Sequence, residues 1–305
     1  MLDEARTDPR YSLPVRYSDP PIKRMMENRI SRWWPGWAGI AIVALPLAGS
    51  AGLLADWRHD NAVIGREAKK ITANLTSDSA RIVAVSDWVY HHQGFGKNSS
   101  HFLVPALGPT PIQVLERGGD CADKSRLVAA MLNELGIDAG LVMISPCPHC
   151  DFINTVVEAR YEGGSMVVDP TWNIDYPAGG GRYFGVRDLA WTNRGEERVA
   201  ELRRQRGEAD KIAEMPATEA RFEYAVAMNW DKKFVTHIAA EAMKLLGYQP
   251  ETMFRPRVLE DPKLALSWFL ILVAMAASVL LYGIYRALLL KGGHDDRNPH
   301  EIAMS

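Results

Sequence analysis

The stretch GGDCADKSRLVAAMLNELGI, residues 118–137, decides what kind of fold this chain can adopt. After Cys121, apolar residues recur at the spacing of one helical face: Leu127, Val128, Met131, Leu132 and Leu135. Gly136 follows as a helix-terminating residue, and the Gly-Gly pair at the other end breaks any preceding helix. The pattern therefore predicts a helix that begins at Cys121 and ends near Gly136.

Three apolar runs follow this helix, and turn residues separate them. They read AGLVMIS (139–145), NTVVEARY (154–161) and SMVVD (165–169). Their β-branched residues, with a Glu-Gly-Gly turn between the last two runs, are typical of antiparallel strands. We therefore predict an α+β core in which the cysteine-bearing helix packs on an antiparallel sheet.

Helical patterns flank this core on both sides. Upstream, Ser77 or Asp78 is placed to cap a helix, and Pro111 to start a short one, PIQVLER. The run GFGKNSSHFLVPALGPTP between them is predicted to be a long loop. Downstream, residues 187–263 are predicted to form a helical extension, whose charged run EERVAELRRQRGEADK is typical of a solvated face. The core itself is assigned to residues 57–186.

Two charge-free stretches are long enough to cross the roughly 30 Å hydrocarbon core of a membrane as helices. They are GWAGIAIVALPLAGSAGLLA, residues 36–55, and LALSWFLILVAMAASVLLYGIY, the body of a helix assigned to residues 264–290. Trp and Tyr lie near the ends of both, where amphipathic rings favour the membrane interface. We predict two membrane spans; the alternatives are a cleaved signal peptide for the first and a buried core helix for the second.

Two spans would place both termini on one side of a membrane and residues 57–263 on the other. Lys and Arg are nearly balanced around the spans, so the positive-inside rule does not decide the orientation. The polar tails, residues 1–35 and 291–305, are predicted to be mobile.

The charge of the chain argues against nucleic acid as a partner. Residues 57–263 contain 25 Lys and Arg and 28 Asp and Glu, a net charge of −3. A surface of this charge has no electrostatic attraction for a phosphate backbone. The expected partners are the membrane and a peptide or envelope protein, with the chain as a possible component of a membrane complex.

Cys121 is the first candidate for chemistry. A thiol at a helix N-terminus feels the positive end of the helix dipole and the free backbone N–H groups, which lower its pKa and favour the nucleophilic thiolate. A lone helical cysteine can equally be a small buried hydrophobe, so the position alone leaves both interpretations open.

Together with NTVVEARYEGGSMVVDPTW, the opening stretch resembles the transglutaminase-like family of thiol enzymes. In that family a Gly-x-Cys helix start is followed by a strand that opens with His and a later strand that ends in Asp-Pro. The resemblance covers about residues 78–175, including ARIVAVSDWVYHH. It implies a papain-like transglutaminase core with Cys121 as nucleophile and Asp169 as orienting carboxylate, and it implies attack of a thiolate on an amide to form an acyl-enzyme.

Asn154 departs from the family pattern, because it falls where the family has its histidine. An amide nitrogen is not basic near pH 7, and loss of the base in analogous triads costs about 10³ to 10⁶ in rate. His149 is an alternative base, but five extended residues span roughly 16 Å, so only a folded-back loop could bring its ring to Cys121. We expect either an impaired catalyst or a relocated base.

Cys147 and Cys150 form a CPHC element with three interpretations. A structural zinc site would lack a fourth ligand, and a redox motif would lack its usual βαβ context. A local disulfide in an oxidising compartment would leave Cys121 free. We expect no cofactor and no metal. A disulfide would agree with a protein of the inner (cytoplasmic) membrane whose central domain is periplasmic, where membrane-tethered members of the family would be expected to act.

Two classes of function follow from these observations. One is a catalytically impaired member whose groove binds a peptide or organises envelope or exopolysaccharide assembly. The other is an active thiol acyltransferase or peptidase with a relocated base such as His149. The position of His149 relative to Cys121 would discriminate between them.

Overall fold

The computed structural model describes residues 21–145, 147, 150–151, 153–190, 192–227, 230, 234–247 and 256–295. Its helices are α1 Pro21–Ile71, α2 Asp78–His91, α3 Pro111–Arg117, α4 Cys121–Glu134, α5 Val186–Ala190, α6 Arg194–Arg206, α7 Phe234–Leu245 and α8 Pro262–Asp295. Its strands are β1 Ala139–Ser145, β2 Asn154–Tyr161, β3 Gly164–Asp169, β4 Ile174–Asp175, β5 Pro177–Gly179, β6 Arg182–Tyr183 and β7 Tyr224–Val226.

Five of the strands form one antiparallel sheet in the order β4-β3-β2-β1-β7. Residue pairs such as Leu141 with Val157, and Val157 with Val168, fix the register of its central strands. The pair β5-β6 forms a separate two-stranded hairpin. The predicted α+β core, with the cysteine-bearing helix on an antiparallel sheet, is confirmed.

The sheet is covered on both faces, because alternate residues of its strands point to opposite sides. Val157 and Val168 belong to one apolar cluster with residues of α2 and α4. Val156 and Val167 belong to a second cluster with residues of α5 and α6. Both faces of the central strands are therefore buried, which explains why these strands read as continuous apolar runs.

Local sequence signals set the helix ends. Ser77 caps α2, and Thr110 and Gln113 form a capping box at α3. Asp120 caps α4 by accepting a hydrogen bond from the backbone of Asp123. Gly136 follows the end of α4 with a φ of 81°, a conformation that favours glycine.

The structure differs from the sequence prediction in the downstream extension and in the first helix. Within residues 187–263, predicted to be helical, Tyr224–Val226 forms β7 and pairs with β1 at the sheet edge. Three residues are too few to show the alternating pattern that predicts a strand. They form a strand because the edge of β1 offers backbone groups for pairing. Residues 21–35 and 291–295, predicted as parts of mobile tails, are helical as continuations of α1 and α8. Helix α1 begins at Pro21, a favoured first helical residue. The rest of both tails lies outside the described residues.

Helices α1 and α8 contain the two segments that are long and apolar enough to span a membrane, Trp37–Ile71 and Pro262–Ala287. Large apolar side chains in these segments, such as Leu45 and Val279, are exposed to more than two thirds of their possible area. The chain divides into two units, one of residues 48–271 and one of residues 1–47 with 272–305. The domain described below lies within the first.

Candidate functional site

The site begins where two glycines lead the chain into α4. Gly118 has a φ of 75°, and a Cβ there would lie 2.6 Å from the backbone oxygen of Gly94. A Cβ on Gly119 would lie 2.3 Å from the Cβ of Asp123. Neither position has room for a side chain, so the Gly-Gly pair is required for the approach to the helix. Cys121 then starts α4 as a free, half-buried thiol.

Asn154 and Asp169 face each other across neighbouring strands. Asn154 opens β2, Asp169 ends β3, and the antiparallel pairing of these strands brings the two ends together. The Asn154 amide Nδ2 donates a hydrogen bond of 2.7 Å to Asp169 Oδ2, and its Oδ1 accepts one of 2.8 Å from the backbone N–H of Thr155. The amide therefore donates to this carboxylate as the N–H of a histidine ring would. Unlike that ring, the amide has no nitrogen that can accept a proton near pH 7.

Asp169 is completely buried, and its other oxygen is also bonded. Oδ1 accepts hydrogen bonds from the backbone N–H groups of Thr171, at 2.7 Å, and Trp172, at 3.3 Å. Burial nevertheless raises the pKa of this carboxyl from 3.8 to about 6, since the hydrogen bonds offset only part of the desolvation cost. Asp169 is thus ionised at neutral pH but at a cost in stability.

The thiol of Cys121 does not have the lowered pKa that its position at a helix N-terminus predicted. Burial, followed by the nearby carboxylates of Asp120 and Asp169, raises its pKa from 9.0 to about 11. Backbone hydrogen bonds from Thr155 and Ala122 act in the opposite direction and are outweighed. The prediction considered the helix dipole alone; the two acidic neighbours and the loss of water decide the protonation state.

Ser125 fixes α4 against β2, a role that the sequence did not reveal. Its buried hydroxyl donates a hydrogen bond of 2.7 Å to the backbone oxygen of Thr155. Ser125 lies one helical turn after Cys121, so this bond sets the distance between the thiol and the start of β2. A serine within a helical pattern gives no signal of such a contact, which depends on tertiary packing.

Glu219 is a second residue that sequence reasoning missed. Trp172 Nε1 donates a hydrogen bond of 2.7 Å to its carboxylate, although the two residues are 47 positions apart. Burial raises the pKa of Glu219, and its charge adds to the raised pKa of Asp169. The polar cluster around Asp169 therefore extends into the downstream extension of the chain.

The connection between β1 and β2 carries the CPHC element. The structure joins Cys147 and Cys150 in a disulfide, one of the three interpretations that the sequence left open. Ser145 Oγ lies within hydrogen-bonding distance of the backbone oxygens of Cys147, Cys150 and Asp151. His149, the alternative base, lies outside the described residues. The disulfide closes the turn that leads directly to Asn154.

Two further features concern the binding of metals and ligands; the cavity among them is lined by residues other than Cys121, Asn154 and Asp169. Among the residues that the structure describes, no group of three or more His, Cys, Asp or Glu side chains is arranged to hold a metal ion. A cavity of about 530 Å³ lies between α2 and the ends of β3 and β4; residues lining it include Asp87, Asn173, Tyr183 and Arg206. Its size is typical of pockets that bind small molecules or short peptide segments.

Comparison with protein families identifies a match to the transglutaminase-like superfamily core over residues 66–170. This range contains α2, α3, α4 and the strands that carry Asn154 and Asp169. A comparison with curated proteins found no match. Residues 66–170 thus carry a transglutaminase-like core, as the resemblance of the quoted stretches implied.

Two solved structures are similar to part of the chain. A candidate cysteine protease from Cytophaga hutchinsonii shares 22% identity over 37% of this chain and 38% of its own, with a TM-score of 0.30. A candidate protease from Parabacteroides distasonis shares 17% identity over 41% of this chain and 30% of its own, with a TM-score of 0.28. The chain thus spans well under half the length of either structure, and similarity at this level carries no functional argument.

Proposed function

From the transglutaminase-like core at residues 66–170, we propose that this protein is a membrane-anchored, catalytically impaired member of that superfamily. We propose further that it acts as a binding or assembly component in envelope or exopolysaccharide biogenesis. The observation that carries the proposal is the buried hydrogen bond from Asn154 to Asp169: a side chain that cannot take a proton stands where the resemblance implies the base.

The protonation state of Cys121 supports the impairment. With its pKa raised to about 11, the thiol is almost entirely protonated at pH 7. A neighbouring imidazolium would stabilise the thiolate; among the described residues, the charged groups that act on the thiol are the carboxylates of Asp120 and Asp169, and both disfavour the thiolate. The resting site therefore holds a neutral, weakly nucleophilic thiol.

The binding role is supported by the cavity beside β3. Its wall combines apolar side chains with Asp87 and Arg206, and Asn173 bridges them: its Nδ2 donates to Asp87 Oδ1 at 2.7 Å, and its backbone oxygen accepts from Arg206. Apolar walls with a few fixed polar groups are characteristic of ligand sites. A peptide segment of an envelope protein is the occupant we propose.

The location is supported by the apolar helices and the disulfide. The exposed apolar surfaces of Trp37–Ile71 and Pro262–Ala287 favour anchoring in the inner membrane. The disulfide between Cys147 and Cys150 favours an oxidising compartment, hence a periplasmic domain. Protease digestion of intact spheroplasts tests this orientation: the domain should be degraded from outside, and full protection would contradict a periplasmic location.

The decisive experiment is the pH dependence of iodoacetamide alkylation at Cys121 in the wild type, in Asn154→His, and in Asn154→Gln as the matched control. The wild-type and Gln thiols should titrate far above pH 9. The histidine variant should titrate lower, and its alkylation rate at pH 7 should rise by about tenfold for each unit by which the pKa falls. A wild-type thiol that already titrates below pH 8.5 would contradict the proposed impairment.

An active thiol acyltransferase or peptidase is the second candidate, because Cys121 is free and Asp169 is held as an orienting carboxylate should be. It requires a base from elsewhere, such as His149. Its signature is a low thiol pKa in the wild type that is lost in His149→Ala. If His149→Ala leaves the alkylation profile unchanged, this candidate loses its proposed base.

A further inference from the structure

The segment Phe102–Val104, here called the loop tip, exposes apolar side chains in the long loop between α2 and α3. Leu103 is 67% exposed and Val104 is 49% exposed. Leu103 also has a φ of 61°, in the left-handed region that residues other than glycine rarely adopt. This conformation holds an apolar side chain outward at a cost in backbone energy.

The loop tip lies close to the residues at which the apolar runs of α1 and α8 end. The Phe102 ring centroid is 5.9 Å from the Lys263 ammonium. Lys263 directly precedes the apolar run of α8, and its ammonium forms an ion pair of 2.6 Å with Asp56, which directly follows the apolar run of α1. Charged residues at the ends of apolar helices lie at the boundary between hydrocarbon and water. Both helices therefore cross this boundary beside the loop tip.

The same loop is bonded to the segment that precedes Cys121. Phe95 and Gly119 form a β-bridge, and Gly96 N–H donates to Gly119 O at 3.3 Å. Asn98 Nδ2 donates to Gly118 O at 2.6 Å. Whatever the loop tip contacts is thus connected, through a few residues, to the start of α4.

We propose that the loop tip inserts into the interfacial layer of the membrane, as a third membrane contact beside α1 and α8. Two observations favour a lipid surface over a protein partner. The tip lies beside the ends of both apolar helices, and the exposed patch of Leu103 and Val104 is far smaller than a stable protein interface requires. The inference rests on the proposed membrane anchoring, and it implies that the loop bonded to Gly118 and Gly119 also contacts the membrane surface.

Site-directed fluorescence on the full chain tests this proposal. Single cysteines replace Leu103 and, in a second variant, Val104, in a Cys121→Ser background with the disulfide intact. Each is labelled with an environment-sensitive dye and reconstituted into phosphatidylcholine vesicles that carry nitroxide quenchers in their acyl chains. Leu272→Cys, at an exposed position in α8, is the reference for lipid, and Glu208→Cys, at an exposed polar position, is the reference for water.

We expect dyes at positions 103 and 104 to shift to shorter wavelength and to lose intensity to the lipid quencher, as the dye at position 272 does, while the dye at 208 responds only to aqueous iodide. If position 272 is quenched by lipid but 103 and 104 respond to iodide, the loop proposal is wrong and the membrane anchoring stands. If 272 is not quenched by lipid, the anchoring itself fails. A blue shift at 103 without lipid quenching would indicate a protein occupant and overturn the lipid contact.

Discussion

Helices α4 and α8 are both rich in leucine and alanine, yet they use these residues in opposite ways. In α4, Leu127, Val128 and Leu132 are buried against the sheet. In α8, Leu272 and Val279 are exposed, whereas Ser267 and Ala274 are buried. The apolar face of α4 is hidden from water by the domain, and the apolar face of α8 has no such cover within the described residues. An exposed apolar face of this length is costly in water and would be favourable in a surrounding hydrocarbon phase.

The polar residues repeat this contrast. In the domain, the buried polar cluster of Asn154 and Asp169 is surrounded by apolar side chains, and each member is hydrogen-bonded. Between the apolar helices, the buried polar contact is the pair Ser50 and Ser267, whose hydroxyl oxygens are 3.0 Å apart. Both contacts thus pair buried polar groups with each other, although the buried side-chain oxygens of Ser86, Thr171 and Tyr176 in the domain have no such partner.

The largest expected effect separates the two helices directly. Leu132→Ala should lower the free energy of unfolding by about 2–5 kcal/mol, because it leaves a cavity in a closely packed core. Leu272→Ala, the matched change on α8, should have a much smaller effect in detergent micelles, since its side chain is exposed. Denaturant unfolding of the detergent-solubilised full chain measures both. Equal losses would break the comparison and indicate that the exposed face of α8 is packed against protein.

The next effect concerns the buried carboxyl of Asp169. Burial raises its pKa from 3.8 to about 6, so the folded state favours the protonated carboxyl. The stability that this preference contributes is fully present below pH 3.8 and is lost as the pH rises through 6. Between pH 4 and 7 the stability lost in this way amounts to about 2 kcal/mol. In Asp169→Asn, the decline in stability over this range should become smaller by a similar amount.

The slope with pH, rather than the absolute stability, is the measurement for Asp169→Asn, because the new amide also disturbs the hydrogen bond from Asn154. Glu208→Gln, a change at an exposed side chain, is the control and should leave the slope unchanged. A slope in Asp169→Asn equal to that of the wild type would show that the carboxyl is not desolvated as the structure indicates.

The smallest effect is expected for the contact between the apolar helices. Ser50→Ala and Ser267→Ala should each cost about 1 kcal/mol or less, as interhelical hydrogen bonds in membranes do. A double-mutant cycle on thermal unfolding in detergent isolates the pairwise energy. A coupling energy of zero would mean that the two hydroxyls are neighbours without a stabilising bond, and would weaken the parallel with the domain.

Much of the fold could be predicted because its signals are local. The sequence predicts α3 from Pro111, α4 from Cys121 and the runs of β1 and β2, and the structure has elements with these bounds. Caps, turns and periodicity act within a few residues, so they are visible in a single sequence. The strand β7 carries no such signal, because its three residues form a strand only where β1 offers an edge.

The sequence proposed members of the candidate site, but it could not predict the electrostatics of the site. Motif spacing pointed to Cys121, Asn154 and Asp169, and the structure places the amide of Asn154 on the carboxylate of Asp169. Glu219 could not be found, since it meets Trp172 across 47 residues of chain. The role of Ser125 was hidden for the same reason: its partner lies 30 residues away on another element.

The sequence by itself determined the α+β class, the apolar helices and the absence of a base at position 154, because these depend on residue type and on spacing along the chain. Only the tertiary structure decided the protonation state of Cys121, because a pKa depends on burial and on charges brought close by folding. The same holds for the loop tip, whose neighbour Lys263 is 161 positions distant in the sequence from Phe102. Features that depend on residue type and spacing are visible in the sequence, whereas features that depend on distances in space require the folded structure.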